Sequence, residues 1–243
     1  MENNLEELEL TILMPCLNEE KTIGICIEKA QKFIRDNNIK GEVLIADNGC
    51  TDRSVEIAKE KGARVVYIEE KGYGNALIKG GKLAKGKYTI MGDCDDSYNF
   101  LELDEFINKL REGYEFVIGN RYGGKMEKGA MQWSHKYIGT PIISNIAKRL
   151  YKLNVGDFNC GLRGYCTEKI NNLGCKSEGM EYATEMIIRA KKENLKICEV
   201  PINFYKDGRE KKSHLRPIRD GIRHFRIIIN QNIWLTNKNS IKK

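Results

Sequence analysis

Three carboxylates within four positions, Asp93, Asp95 and Asp96, follow directly after an apolar run at residues 88–91. A buried strand that ends in this way is costly, because unpaired carboxylates resist burial and neighbouring like charges raise each other's pKa. A hard divalent cation such as Mg²⁺ or Mn²⁺ removes both problems, since it prefers oxygen ligands and retains waters and substrate phosphates. The cluster therefore indicates a metal-bridged diphosphate at the end of a strand or, as a purely structural alternative, an acidic loop in which Asp96 caps the next helix.

Further polar residues follow the other predicted strands. Glu19 comes after the first strand and could contact a nucleotide, although acids also favour a helix N-terminus. Asp47 ends the second strand, where it could contact a base or ribose or form an Asp-Asn-Gly turn. Arg121 lies at the end of the fifth strand, where its permanently charged guanidinium could bind a phosphate or form a surface ion pair.

Two glycine-containing segments are also candidates for ligand contacts. The segment 72–76 looks like a dinucleotide-binding loop, but it follows the third strand and Leu77 replaces the third glycine, which argues against an NAD site. A glycine loop that opens a helix can still present backbone N–H groups to an anion. Asp157 and Arg163 lie six residues apart around a glycine. This segment could form a turn, or it could place the Asp157 carboxylate on the side of the site where an acceptor substrate faces the donor.

The elements that must position these residues alternate between strand and helix over the first 120 residues. Apolar runs predict the strands, and amphipathic or capped segments predict the helices. The predicted strands are 11–14, 42–46, 63–68, 88–91 and 116–118, and the predicted helices are 20–37, 51–61 and 72–84. This order is typical of a mostly parallel α/β sheet with helices on both faces, whose ligands bind at the carboxyl ends of the strands. The acids and Arg121 are therefore expected to converge on one crevice.

The second half of the chain is less regular. We predict a loop over 122–132, a helix over 134–151 that Pro141 kinks, a strand over 161–166, a helix over 180–192 and a strand over 197–204. No internal repeat or low-complexity linker is visible, so we expect one α/β domain over residues 1–243.

Composition and charge narrow the class of protein. The 243 residues are 41% hydrophobic and 31% charged, as in ordinary globular proteins, and the acidic start predicts no signal peptide. The eight cysteines form no C-x-x-C pair, which argues against a zinc site and suggests a reducing, cytoplasmic location. The three histidines, His135, His214 and His224, show no ligand spacing and are predicted not to bind metal.

A basic segment stands out within the net charge of +7. Lysines and arginines dominate residues 206–226, which attracts phosphates, an anionic membrane surface or nucleic acid. No nucleic-acid recognition motif is present, so a nucleic-acid-binding protein is the weaker alternative and we expect no such partner. One helical face carries Ile218, Ile222, Phe225 and Ile229, so the basic amphipathic segment at about 206–235 could lie on the inner face of a membrane or pack on the sheet.

The ordered set of motifs resembles glycosyltransferase family 2 enzymes of the GT-A (Rossmann-like) fold. The resemblance is strongest to the polyprenyl-phosphate sugar transferases of the dolichyl-phosphate mannose or glucose synthase type, and it covers roughly residues 10–227. Each motif alone is modest, but seven in the family's order are specific. The matching stretches are 15–19, 47–52, 72–76, 93–96, 119–122, 157–163 and 199–202.

The resemblance implies a nucleotide-diphosphate-sugar donor, UDP-glucose-like or GDP-mannose, and Mg²⁺ or Mn²⁺ as cofactor. The residues that it assigns to the donor are Pro15, Leu17, Glu19, Asp47, Gly74, Asp93, Cys94 and Asp95, of which Asp95 and Asp93 would hold the metal. The residues that it assigns to phosphates of the donor or acceptor are Arg121, Arg163, Arg209, Lys212 and Ser213.

The implied reaction is inverting transfer of a hexose to a polyprenyl phosphate, with Arg121 and Arg209 acting on the phosphates. An ionised phosphate acceptor needs little base assistance, whereas a hydroxyl acceptor requires a general base, for which Asp157 is the candidate. The alternative is therefore a soluble glycosyltransferase that acts on a hydroxyl of a small molecule, glycan or protein. A sugar-nucleotide pyrophosphorylase is less consistent, because no glycine-rich, Lys/Arg-containing loop follows the first strand.

Overall fold

The central strand of the sheet is the first apolar run of the chain. In the computed structural model, which describes residues 8–209 and 217–240, β1 (Leu8–Cys16) pairs in parallel with β2 (Gly41–Asp47) and with β4 (Gly86–Met91). Residues 10–14 are fully buried and, apart from Thr11, apolar, so this strand does not alternate between apolar and polar residues.

Seven strands form one sheet in the order β3-β2-β1-β4-β6-β5-β7. The strands not yet given are β3 (Arg64–Tyr67), β5 (Phe116–Asn120), β6 (Arg163–Cys166) and β7 (Ile197–Pro201). All neighbouring pairs are parallel except those of β6, which runs antiparallel to both β4 and β5. The predicted fold class, one α/β domain with a mostly parallel sheet, is confirmed.

Helices pack in two groups around this sheet. They are α1 (Ile23–Asp36), α2 (Ser54–Glu60), α3 (Tyr73–Leu83), α4 (Asp104–Arg111), α5 (Thr140–Tyr151), α6 (Thr167–Asn171), α7 (Tyr182–Lys192) and α8 (Pro217–Ser240). Helix α1 contacts α2, whereas α3 contacts α6 and α7, as expected when right-handed crossovers lead in opposite directions from the central strand. Within the described ranges, none of the helices combines the length and the apolar character needed to cross a membrane.

The predicted helix over 134–151 is interrupted, and the reason differs from the one expected. A π-helical turn, His135–Gly139, precedes α5, and Pro141 lies in the first turn of α5, where its missing N–H costs no hydrogen bond. The predicted strand over 197–204 is also shorter than expected. It ends at Pro201, and only an isolated bridge between Met126 and Phe204 continues the pairing.

Candidate active site

A cavity of about 1140 Å³ opens where β1, β4 and β5 end. Pro15 and Cys16 end β1, the segment 93–95 follows β4, and Arg121 follows β5, so each strand delivers residues to the cavity wall. Pockets for one small ligand are typically about 300–1,000 Å³, so this cavity has room for a donor and part of an acceptor. Of the residues predicted from the sequence, those lining it are Pro15, Leu17, Glu19, Asp93, Cys94, Asp95, Arg121 and Arg209.

One wall of the cavity is acidic. Asp95 is held by Ser97, whose backbone N–H and hydroxyl both donate to Asp95 Oδ1, at 3.0 and 2.6 Å. Burial raises the pKa of Glu19 to about 7, and burial together with the neighbouring Asp95 charge raises the pKa of Asp93 to about 6. Carboxylates whose ionisation is opposed in this way favour a bound cation.

The acidic wall fits a divalent cation that shares its coordination with a ligand. Among the residues that the structure describes, no group of three or more acids, histidines or cysteines is arranged to hold a metal alone. Asp95 Oδ2 lies 2.7 Å from the Arg209 guanidinium, so a positively charged side chain already contacts this carboxylate. Hard oxygen donors from Asp95 and Asp93, completed by diphosphate oxygens and water, are the set that Mg²⁺ or Mn²⁺ uses.

Two residues predicted at the donor have structural roles instead of lining the cavity. Asp47 Oδ1 accepts from the backbone N–H groups of Gly49 and Cys50, at 3.0 and 2.8 Å, which is the turn considered as its alternative. The N–H of Gly74 donates to the Glu178 carbonyl at 2.8 Å and is therefore not available to an anion. A Cβ at Gly74 would lie 2.0 Å from the Ser177 carbonyl oxygen, so this glycine permits close backbone packing.

Asn48 is a cavity residue that the sequence analysis missed. Its side-chain amide donates to the carbonyls of Ile68 and Glu70, and its Oδ1 accepts from the Gly72 N–H at 2.7 Å. Lys71, which also lines the cavity, donates to the Asn48 carbonyl at 2.8 Å. Asn48 therefore fixes the loop between β3 and α3 at the cavity wall.

Arg121 lines the cavity and forms a buried ion pair with Asp157. Its Nε and Nη2 donate to the two carboxylate oxygens of Asp157 at 2.7 and 2.8 Å, and its backbone N–H also donates to Asp157 at 3.2 Å. Asp157 is fully buried and does not line the cavity. In this arrangement the carboxylate orients Arg121, and the role of general base for Asp157 stays a prediction.

Arg163, predicted to contact a phosphate, does not line the cavity in this structure. The side chain is fully buried, and its guanidinium donates to the carbonyls of Phe158, Cys160 and Ala183 at 2.6–2.8 Å. These bonds join the 157–161 loop to α7, and the phosphate contact of Arg163 stays a prediction. Lys212 and Ser213 lie outside the described residues.

The far side of the cavity is lined by the 129–143 region and by α8. Thr140 and Ile143 contribute from α5, and Arg223 and His224 contribute from α8. Burial lowers the pKa of His224 to about 4, and its Nδ1 lies 2.7 Å from the Thr184 hydroxyl, so the ring is neutral and takes part in packing. The sequence analysis assigned no ligand contact to these residues.

Residues 11–174 match the family model described as Glycosyl transferase family 2. The chain belongs to this family. The match spans most of the sheet and the acidic wall, and it confirms the resemblance inferred from the motifs.

Curated members of the family are similar over most of this chain. The Low-salt glycan biosynthesis hexosyltransferase Agl6 of Haloferax volcanii is 37% identical over 221 residues, which cover 90% of this chain and 53% of Agl6. The chain thus spans about half the length of that relative. A Dolichyl-phosphate hexose transferase of the same organism is 31% identical over 205 residues, covering 84% of this chain and 86% of the relative.

Solved structures of another glycosyltransferase have the same fold. Glucosyl-3-phosphoglycerate synthase from Mycobacterium tuberculosis, in complex with Mn²⁺, uridine-diphosphate and glucosyl-3-phosphoglycerate, superimposes with a TM-score of 0.71 at 18% identity. The alignment covers 92% of this chain and 80% of the synthase. At this identity the similarity concerns the fold alone, and it agrees with the sheet topology described above.

Proposed function

We propose that this family 2 glycosyltransferase transfers a hexose from a nucleotide-diphosphate sugar to a polyprenyl phosphate, with inversion at the anomeric carbon. The observation that carries the proposal is the acidic wall of Glu19, Asp93 and Asp95, which lines the same cavity as Arg121 at the carboxyl ends of the strands. Asp95 and Asp93 would hold Mg²⁺ or Mn²⁺. When bound, the metal neutralises the charge of the departing nucleoside diphosphate.

Arg121 is the residue of this chain best suited to a phosphate in the cavity. Asp157 fixes two of its guanidinium nitrogens, so the side chain is oriented before a ligand arrives. A phosphate acceptor is already ionised, so no side chain has to remove a proton from it. The solved complexes of glucosyl-3-phosphoglycerate synthase with uridine-diphosphate and with Mn²⁺ or Mg²⁺ support a nucleotide-sugar donor and a divalent metal.

Exposed apolar side chains beside the cavity support a lipid acceptor. Trp133 and Tyr137 are 68% and 59% exposed, and their rings pack at a tilt with centroids 5.8 Å apart, next to cavity residues of the 129–143 region. Ile222 and Phe225 on α8 are about half exposed, next to the cavity residues Gly221 and His224. Together with the basic segment, these four side chains fit an anionic membrane surface, and the protein would act peripherally at the inner face of the membrane.

The test is nucleotide-sugar turnover with Mn²⁺ across UDP-glucose, UDP-N-acetylglucosamine, UDP-galactose and GDP-mannose, with and without a short polyprenyl phosphate in detergent. Transfer that requires the lipid supports the proposal and identifies the donor. Transfer to a water-soluble acceptor without lipid contradicts the proposal of a lipid acceptor. It leaves the proposal of glycosyltransferase activity intact. Absence of turnover and of donor binding in every combination contradicts the donor site.

Membrane contact is tested separately by flotation with phosphatidylglycerol/phosphatidylcholine vesicles. The double variant Ile222→Ser, Phe225→Ser is expected to lose most vesicle binding, because it removes apolar area from one exposed face of α8. The matched control is Tyr67→Ser, since Tyr67 is 66% exposed and does not line the cavity. Equal flotation of the double variant and the wild type contradicts the assigned surface.

A hydroxyl acceptor is the second candidate, and one observation favours it. Glu181 is buried beside the cavity residue Met180, and its Oε2 has no hydrogen-bond partner among the described residues. Such a carboxylate could accept a proton from an acceptor hydroxyl. Activity without lipid that Glu181→Gln abolishes while UDP binding persists would favour this candidate.

A further inference from the structure

The segment 205–209, here called the strap, runs along the acidic wall. The Tyr205 N–H donates to the Ser97 carbonyl at 3.0 Å, and the Gly208 N–H donates to the Asp95 carbonyl at 2.9 Å. A Cβ at Gly208 would lie 2.9 Å from the Thr22 Cγ2 methyl group, so the absence of a side chain lets the strap approach this closely. The strap is therefore attached to the same loop that carries Asp95.

Arg209 ends the strap between two carboxylates of the acidic wall. Its Nη2 lies 2.7 Å from Asp95 Oδ2, and its Nη1 lies 3.2 Å from Glu19 Oε1. The guanidinium thus provides positive charge to the acids that face the donor end of the cavity. With this side chain in place, a cation and a diphosphate have no free access to Asp95 Oδ2.

The ion pair leaves buried polar atoms unsatisfied. Arg209 Nε is buried without a hydrogen bond, and Asp207 Oδ1, with which it forms an ion pair, is 3.7 Å away. Glu19 Oε2 is also buried without a partner among the described residues. Each unpaired buried polar group is costly, and such groups in a folded protein call for an explanation such as a missing ion or ligand.

We propose that Arg209 takes the place of the divalent cation beside Asp95 and Glu19, and that the cation displaces it on binding. Without a donor, Arg209 neutralises Asp95 and Glu19; when a metal–nucleotide complex binds, Arg209 leaves these carboxylates and its guanidinium pairs with the diphosphate. Both new contacts are favourable. The divalent cation compensates more of the carboxylate charge than Arg209 does, and the planar guanidinium matches the geometry of phosphate oxygens. This inference rests on the proposed function, since it takes a metal and a nucleotide as the ligands.

The test compares Mn²⁺ binding, followed by the electron paramagnetic resonance signal of free Mn²⁺, in wild type and Arg209→Gln. Without nucleotide, the variant is expected to bind Mn²⁺ about tenfold more tightly, because no charged side chain competes for the carboxylates. With UDP present, the variant is expected to bind the Mn²⁺–UDP complex about tenfold more weakly, because the diphosphate loses its guanidinium partner. A purely structural role would move both affinities in the same direction.

Two further comparisons complete the experiment. Arg53→Gln, which changes an exposed arginine paired with Glu56 on α2, is the matched control and is expected to alter neither affinity. Hydrogen exchange of the 205–209 amides is expected to change when Mn²⁺ and UDP are added to the wild type, because Arg209 moves from the carboxylates to the diphosphate, and it is expected not to change in Arg209→Gln. Amide exchange rates that respond identically in the two proteins overturn the change of partners.

The outcomes separate this inference from the proposed function. Opposite shifts of the two affinities in Arg209→Gln support the exchange. Binding of Mn²⁺ and UDP by wild type with equal or parallel shifts in the variant overturns the exchange alone. Failure of the wild type to bind Mn²⁺ together with either UDP or GDP overturns the proposed function as well.

Discussion

We predict that breaking the buried ion pair between Arg121 and Asp157 destabilises the folded protein by a measurable amount. Asp157→Asn keeps the volume of the side chain but removes the charge that balances a guanidinium with a 10% exposed side chain. Breaking a buried ion pair from one side costs about 3–5 kcal/mol, because the remaining charge is left without compensation. For a domain of this size that corresponds to a fall of roughly 10 °C in the midpoint of thermal unfolding.

The assay is thermal and urea unfolding of the purified variants, combined with the turnover measurement described above. The double variant Arg121→Met, Asp157→Leu is expected to recover much of the lost stability, since an apolar pair removes the unbalanced charge. Glu56→Gln is the control, because it breaks an exposed pair with Arg53 and is expected to leave the unfolding midpoint unchanged. If Asp157→Asn unfolds like the wild type but loses turnover of a hydroxyl acceptor, the positioning role is refuted and the predicted role of Asp157 as general base is supported.

Two other predictions concern packing and pH. Gly74→Ala is expected to destabilise the protein by about 1–3 kcal/mol in urea unfolding, because the added methyl falls 2.0 Å from the Ser177 carbonyl oxygen; wild-type stability would contradict that close approach. His224 faces Asp220 on its own helix and Arg163 from β6, and burial lowers its pKa in the folded protein to about 4. Its contribution to stability is therefore complete above pH 6.5 and is lost as the pH falls toward 4. The unfolding free energy of the wild type should therefore fall by up to about 3 kcal/mol more than that of His224→Asn between pH 7 and pH 4, and parallel pH profiles of the two proteins would contradict this burial.

The sheet could be predicted from the sequence because its buried strands are continuous apolar runs. Parallel strands covered on both faces have little alternation, and β1, β2 and β4 follow this rule closely enough to be located within a few residues. The topology then places the ends of these strands at one edge, which is why Glu19, Asp93, Asp95 and Arg121 could be expected to line one crevice.

The partners of the charged side chains could not be predicted, because they are set by contacts between distant segments. Arg121 and Asp157 are 36 positions apart, and no local pattern indicates that they form a bidentate pair. Arg163 carries a permanent charge, which normally indicates exposure, yet backbone carbonyls satisfy its guanidinium in the core. The contact of Arg209 with Glu19 spans 190 positions and depends on the path of the strap.

The acidic wall is proposed to bind a nucleotide diphosphate with a divalent cation, and titration calorimetry of UDP with and without Mn²⁺ measures this binding. We predict that Mn²⁺ strengthens UDP binding by the wild type and that Asp95→Asn loses about tenfold or more of this gain, because Asp95 would hold the metal. Asp104→Asn, at the start of α4, is the matched control and should bind as the wild type does. UDP binding by Asp95→Asn that is as tight and as metal-dependent as that of the wild type would contradict the account.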